Sequence, residues 1–154
     1  MKNKWMTVLR YVLIALIIAT VLFIFIQSML PKEASEEQSD AVGGIISEII
    51  PPDTPAGEYV QENIRKIAHF TEFAILGAEV ALYLILFMPK IRYMLMSYPS
   101  ILILAFFDET IQIFSGRGPA ISDVWIDFLG FLTLASTFYV VYWAVRLIYS
   151  KRKQ

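Results

Sequence analysis

Four long apolar blocks constrain this chain more than any other feature of its sequence. They run from about residue 9 to 30, 67 to 88, 99 to 114 and 122 to 149. A helix rises about 1.5 Å per residue, so about 20 apolar residues cross a hydrocarbon core about 30 Å thick. The third block is the shortest, and Pro99 suits the first turn of a helix. These blocks predict an all-α integral membrane bundle of four transmembrane helices.

The first apolar block follows the basic residues Lys2, Lys4 and Arg10, as the core of a secretory signal peptide would. Its apolar part exceeds the roughly 7 to 15 residues of such a core, and no small-residue cleavage site follows it. Residues 1–30 are therefore predicted to stay attached as an N-terminal signal-anchor helix.

Residues 31–62 form the only long hydrophilic segment, an acidic loop that holds four of the seven prolines. One interpretation is a flexible connector. The alternative has a short helix in the membrane interface with four isoleucines on one face, and a helical lead from Glu58 to Lys66 into the second span. Those isoleucines are Ile45, Ile46, Ile49 and Ile50. The sequence leaves both interpretations open.

Lysine and arginine are divided unevenly between the two sides of the predicted bundle. With four spans, the termini and the turn at 89–97 share a side that holds nine of the thirteen basic residues. The four on the other side are Lys32, Arg65, Lys66 and Arg117. Because basic residues are enriched in cytoplasmic loops, both termini are predicted to be cytoplasmic. Residues 31–62 would then be an external loop, and residues 151–154 a basic cytoplasmic tail.

Ionisable and amide side chains recur on one face of each of the last three spans. In the second span they are spaced by 3, 3 and 7 residues. In the fourth span two aspartates are four residues apart, and a glycine follows three residues later. Residues three, four or seven apart lie on the same face of a helix. The set is Lys66, His69, Glu72 and Glu79, then Asp108, Glu109, Gln112 and Arg117, then Asp123, Asp127 and Gly130. We expect all but Glu79 and Gly130 to converge on one pocket at the external end.

Ionisable residues within a membrane are costly, so this pocket is a candidate functional site. Single members also have structural interpretations: Glu72 and Asp108 could be ion-pair partners of Lys66 and Arg117, and Asp123 suits a helix N-terminus. The whole cluster is harder to explain in this way, because two basic residues cannot neutralise five carboxylates. The surplus predicts carboxylates that hold a proton, a bound cation or a cationic ligand.

The residue types present limit which cation that could be. The chain has no cysteine and one histidine, which excludes Cys-ligated zinc and a multi-histidine site within one chain. A hard ion such as Mg²⁺ suits the carboxylates.

Two runs of this sequence resemble the VanZ-like family. The first is Arg65-Lys66-Ile67-Ala68-His69-Phe70-Thr71-Glu72-Phe73, followed by Leu76-Gly77. The second is Asp108-Glu109-x-x-Gln112-x-Phe114-x-x-Arg117, followed by Asp123-Val124-x-x-Asp127-x-x-Gly130. They cover about residues 65–130, and residues 63–150 are identified as a VanZ-like three-helix region. The chain departs from the family pattern at Ala120, where a small hydroxyl residue is frequent, and at Asp127, where Asn is frequent.

The resemblance implies a small multi-pass protein of the bacterial cell membrane, because the family's namesake is a small bacterial membrane protein. The namesake is linked to resistance to teicoplanin and other lipoglycopeptides. It implies no reaction, since the family has no established biochemical activity. We expect membrane lipids or lipid-linked cell-wall precursors as partners, and no nucleic acid.

Three functions are open for the pocket. In the first, it binds a lipid headgroup, a cell-wall precursor or a lipophilic drug tail, and expression of the protein lowers teicoplanin susceptibility. Lys66 and Arg117 would hold phosphate or carboxylate groups. The other candidate ligand-binding residues are Glu109, Gln112, Asp123 and Asp127.

The second function is an intramembrane phosphotransferase or hydrolase acting on a lipid-linked substrate. His69 would be a general base or nucleophile, oriented by Glu72 or Asp108. Asp108 could also hold Mg²⁺ together with Asp123 and Asp127. Arg117 would stabilise the charge of the transferring phosphate.

The third function is a proton relay or transporter along Glu79, Glu72 and His69. Four short spans in one chain make a thin pathway, so this hypothesis requires a homodimer.

Overall fold

The computed structural model describes residues 2–118 and 120–152. Pro119, predicted to lie in the turn before the last span, and Lys153 of the predicted basic tail fall outside those ranges. Within them, all regular secondary structure is α-helical. The helices are α1 (Lys2–Met29), α2 (Lys32–Ser47), α3 (Pro55–Phe87), α4 (Ile91–Phe114) and α5 (Ile121–Lys151). Helices α1, α3, α4 and α5 are long and apolar enough to cross a membrane, which confirms the predicted all-α bundle with four spans.

Helix α4 begins earlier than the sequence suggested. The prediction that this span starts near Pro99, after a turn at 89–97, is wrong: Pro99 lies inside a helix that already begins at Ile91. Proline normally disfavours a helix interior because it lacks an N–H donor. Here the preceding turns are held by packing, since Met94 is only 1% exposed and Ser97 is also buried.

The acidic loop is largely ordered. Helix α2 occupies its first half, and α3 begins at Pro55, well before the apolar block. Thr54 caps α3 by accepting a hydrogen bond from the backbone N–H of Gly57 at 3.1 Å, and proline follows it at the first helical position, a preferred start for a helix. The structure therefore agrees better with the helical alternative than with the flexible connector. However, Ile49 and Ile50 lie after the end of α2 rather than on its face.

Helices α3 and α5 make the most extensive contact among the described helices. Two glycines allow it. A Cβ atom on Gly130 would lie 2.3 Å from the carbonyl oxygen of Phe70, and one on Gly77 would lie 2.6 Å from that of Phe131. Small residues let backbones approach in this way in membrane bundles. The two contacts fix how α3 faces α5.

At one end of the bundle, two pairs of hydroxyl side chains join α4 to α5. The hydroxyls of Ser97 and Tyr139 are 3.2 Å apart, and those of Tyr98 and Ser136 are 2.9 Å apart. We refer to these four residues as the hydroxyl cluster. Ser97 also donates to the carbonyl oxygen of Met94 at 2.6 Å. The cluster therefore consists of two neutral hydrogen-bonded pairs, and the rings of Tyr98 and Tyr139 pack edge to face.

Candidate functional site

Four buried polar side chains from three helices meet inside the bundle: His69 on α3, Asp108 and Gln112 on α4, and Asp127 on α5. We refer to them as the ionisable cluster. The His69 Nδ1 atom lies 3.3 Å from Asp127 Oδ1 and 3.9 Å from Asp108 Oδ2. Asp108 and Asp127 are both 0% exposed. The structure thus brings together one imidazole and two carboxylates away from solvent.

Asp108 is held by two donors from different helices. Ser28 of α1 donates to Asp108 Oδ1 at 2.6 Å, and Gln112 donates to Oδ2 at 3.0 Å. Arg65 donates in turn to the side-chain carbonyl of Gln112. The apolar sequence of the first span suggested an anchor alone. The structure adds a second role, because this span supplies the buried Ser28 side chain that bonds Asp108.

The segment after α4 is fastened to the end of α1. Arg117, which is buried, donates from Nε to the carbonyl oxygen of Leu30 at 3.1 Å, and from Nη2 to the carbonyls of Leu30 and Gln27. Ser115 donates to the carbonyl of Ser28 at 2.8 Å. Such bonds satisfy carbonyls that a helix C-terminus leaves unpaired. Burial, followed by the neighbouring Arg65 guanidinium, lowers the pKa of Arg117.

A cavity of about 510 Å³ lies beside the cluster, between α1, α2 and α3. Part of its wall is apolar, including Phe23 and Val42. The rest is polar, and its ionisable residues are Arg65, His69 and Glu72 of α3, with Arg117 beside them. The cavity has the mixed lining that an amphipathic molecule requires.

Other predicted site residues lie around the cluster rather than within it. Lys66 is exposed, and its ammonium group donates to Asn63 at 3.4 Å. Glu109 is buried and accepts from the backbone N–H of Ala120. Asp123 is half-buried and accepts from the hydroxyl of Ser122 at 3.1 Å.

Glu79 lies two turns beyond Glu72 on α3, away from the cluster. One of its carboxylate oxygens accepts from Thr20 of α1 at 3.1 Å. The polar face of α3 therefore continues past Glu72, and at Glu79 it contacts α1.

Several atoms of the site lack hydrogen-bond partners among residues 2–118 and 120–152. They include His69 Nδ1, both carboxylate oxygens of Asp127, and Nε of Arg65. His69 Nδ1 and Asp127 Oδ1 are near each other without hydrogen-bond geometry. Buried polar groups are nearly always paired, so these atoms require a partner such as a water molecule, an ion or a ligand.

The same residues could hold a metal ion. One ligand atom from each of His69, Asp108 and Asp127 lies within 4.8 Å of the other two. This group has His69 where the sequence pattern suggested Asp123. Imidazole and carboxylate are both common ligands of divalent cations.

Two residues of the site were missed by sequence reasoning as site members. Arg65 stands inside the first family run, but its neighbour Lys66 was preferred because of helix spacing. Ser28 carries no sequence signal, since a single hydroxyl at the end of an apolar block usually bonds its own backbone. Only the packing of α1 against α4 reveals it.

Comparison with known proteins gives a match at the level of the family. A family model described as VanZ/LLP1 matches residues 12–145, nearly the whole chain. No curated protein and no solved structure gives a significant match to the chain.

Proposed function

Because the chain belongs to the VanZ/LLP1 family, we propose that it is a multi-pass protein of the bacterial cell membrane and cell envelope. Its cavity binds the phosphate-bearing headgroup of a membrane lipid or of a lipid-linked cell-wall precursor. The observation that carries this proposal is the cavity between α1, α2 and α3, which joins apolar walls to two arginines.

Arg65 is the residue that supports an anionic ligand most directly. Its Nη2 donates to Gln112, whereas its buried Nε has no acceptor within the described part of the chain. A guanidinium is always charged and binds phosphate oxygens through charge-assisted hydrogen bonds. Arg65 lines the cavity, so a phosphate group there can bind its guanidinium.

Arg117 adds positive charge but has a different role. Its described hydrogen bonds go to carbonyl groups at the end of α1, so it holds α1 in place beside the cavity. Two guanidinium groups near each other repel, and an anion between or beside them relieves that repulsion.

The depth of the cavity suits a headgroup. It lies beside Gln27, close to the end of the α1 span at Met29. Lipid headgroups occupy this interfacial level, and acyl or prenyl chains would run along the exposed apolar outer faces of the spans. With both termini cytoplasmic, as the lysine and arginine bias favours, this end of the bundle faces the outer leaflet.

Lipid binding by purified full-length protein tests the proposal. Arg65→Ala should bind detergent-solubilised phosphatidylglycerol about 10- to 150-fold more weakly than wild type, because a charge-assisted hydrogen bond contributes about 1.5–3 kcal/mol. Lys66→Ala is the matched control, since Lys66 is adjacent, basic and exposed, and it should stay within about twofold. A polyprenyl pyrophosphate probe distinguishes the precursor from the phospholipid, and phosphatidylcholine reports net-neutral headgroups.

Equal losses in both variants, or equal affinity of wild type for anionic and net-neutral lipids, would remove the headgroup proposal. The family resemblance also suggests a cellular readout for the same pair of variants. Expression of wild type and Lys66→Ala, but not Arg65→Ala, should lower teicoplanin susceptibility of a Gram-positive host. Binding without any change in susceptibility would keep the lipid site and reject the resistance role.

An enzyme acting on the same lipid is the second candidate. It is favoured by the position of His69, which lines the cavity and lies beside the carboxylates of Asp108 and Asp127. Imidazole near carboxylates is a common arrangement for general base or nucleophilic catalysis. Phosphate release from the pyrophosphate probe by wild type, abolished in His69→Gln, would select the enzyme over the binding protein.

A further inference from the structure

We propose that His69, Asp108 and Asp127 bind one divalent transition-metal ion of the Zn²⁺ type inside the bundle. This site is separate from lipid binding and does not rest on it, because its ligands lie on α3, α4 and α5. Only His69 is shared with the wall of the cavity.

The spacing of the ligand atoms fits a tetrahedral ion. His69 Nδ1 and Asp127 Oδ1 are 3.3 Å apart. In a tetrahedral zinc site with bond lengths of about 2.0–2.1 Å, two ligand atoms lie about 3.3 Å from each other. His69 Nδ1 and Asp108 Oδ2 are 3.9 Å apart, and the three ligand atoms lie within 4.8 Å of one another, so the Asp108 carboxylate must move toward the ion to complete three of the four tetrahedral positions.

The ligand types favour zinc over magnesium. Imidazole nitrogen suits Zn²⁺ and other first-row transition metals, whereas Mg²⁺ prefers six oxygen ligands in an octahedron and retains several waters. Three protein ligands with one open position are typical of catalytic zinc sites, including sites with a carboxylate ligand. One histidine and two buried aspartates therefore match the zinc class better than the magnesium site suggested by the sequence.

The unpartnered atoms point to a ligand at this position. Asp127 is 0% exposed, and neither of its carboxylate oxygens has a hydrogen-bond partner in the part of the chain that the structure describes. The same holds for His69 Nδ1. Two carboxylates deep in a bundle are costly unless a positive charge compensates them. One divalent ion bound to His69 Nδ1 and to one oxygen of Asp127 would satisfy two of these three orphaned atoms and balance both carboxylates.

Asp108 already has the outer support expected of a metal ligand. Ser28 and Gln112 each donate a hydrogen bond to it, and Arg65 donates to Gln112. Ligating carboxylates are usually hydrogen-bonded in this way, which fixes their orientation before the ion binds. His69 and Asp127 also stand on two helices, α3 and α5, that Gly130 brings into close contact.

Zinc binding by full-length protein in detergent micelles tests the site. Wild type, stripped with a chelator and reloaded, should bind one Zn²⁺ per chain and should prefer Zn²⁺ to Mg²⁺. His69→Gln and Asp127→Asn should each weaken Zn²⁺ binding by about 100-fold or more, since each removes a ligand. Ser28→Ala should weaken it by about 10–100-fold, as outer-shell changes do.

Asp123→Asn is the matched control for Asp127→Asn, because Asp123 lies one turn earlier on the same helix and bonds Ser122 instead. It should stay within about twofold of wild type. X-ray absorption of zinc-loaded wild type should report one imidazole among nitrogen and oxygen ligands, a result that requires no variant to fold. Failure of wild type to bind Zn²⁺ stoichiometrically, a preference for Mg²⁺, or equal losses in Asp123→Asn and Asp127→Asn would overturn the site.

Discussion

The bundle contains two buried polar clusters that differ in how their hydrogen bonds are satisfied. In the hydroxyl cluster, Tyr139 pairs with Ser97 and Tyr98 pairs with Ser136, and the side chains are neutral. In the ionisable cluster, carboxylates and an imidazole meet, and Asp127 has no hydrogen-bond partner among the described residues. Both clusters join α5 to a neighbouring helix within the same chain.

The difference distinguishes buried polar groups that hold helices together from buried polar groups that serve a function. A neutral hydroxyl pair satisfies itself and adds modestly to helix association in a membrane. A buried carboxylate without a hydrogen-bond partner is costly by itself, and such groups within a membrane are retained where a ligand or a reaction needs them. The hydroxyl cluster is therefore expected to affect stability alone, and the ionisable cluster to affect binding. Three stability measurements can break or sharpen this comparison.

The largest effect is expected at Gly130, which sets the approach of α3 to α5 beside the ionisable cluster. Gly130→Ala should lower the free energy of unfolding by about 3 kcal/mol, because its Cβ would lie 2.3 Å from the carbonyl oxygen of Phe70. Unfolding in mixed micelles with increasing SDS measures it. Gly44→Ala on α2, where a Cβ meets nothing within 4 Å among the described residues, should be neutral or stabilising by up to about 1 kcal/mol. Equal stability of the two variants would show that the close approach is unnecessary.

A smaller loss of stability is expected when the hydrogen bond from Ser28 to Asp108 of the ionisable cluster is removed. In the presence of a chelator, Ser28→Ala should cost about 2 kcal/mol, because Asp108 Oδ1 would lose its 2.6 Å donor while buried. The control is Ser100→Ala, also in a transmembrane helix, where the hydroxyl bonds only its own helix at the carbonyl of Met96. That variant should change stability by less than about 0.5 kcal/mol. A Ser28→Ala protein as stable as wild type would mean that α1 does not support the cluster energetically.

The smallest loss is expected in the hydroxyl cluster. Tyr139→Phe should cost about 0.6 kcal/mol, the average for hydrogen bonds between transmembrane helices, because Ser97 keeps its bond to the carbonyl of Met94. Zn²⁺ and lipid binding should be unchanged. A loss larger than that of Ser28→Ala would reverse the ranking of the two clusters, and a loss of binding would end the distinction between them.

Much of this architecture is local and was therefore readable from the sequence. Each span needs only a sufficient apolar run, so the four membrane helices were predicted correctly. Helix periodicity placed His69, Asp108 and Asp127 on polar faces near one end, and the structure brings these three together. The start of α4 was misplaced at Pro99 because a local proline preference was outweighed by packing of the preceding turns.

Periodicity by itself determined which residues share a face of one helix, since 3.6 residues per turn is a property of the backbone. It could not determine how each face is rotated toward its neighbours. That rotation is set by contacts between helices, above all where Gly77 and Gly130 admit a facing backbone. For this reason only the tertiary structure decided that Arg65 lines the cavity and that Lys66 is exposed. The same packing brought Ser28 of the first span to Asp108.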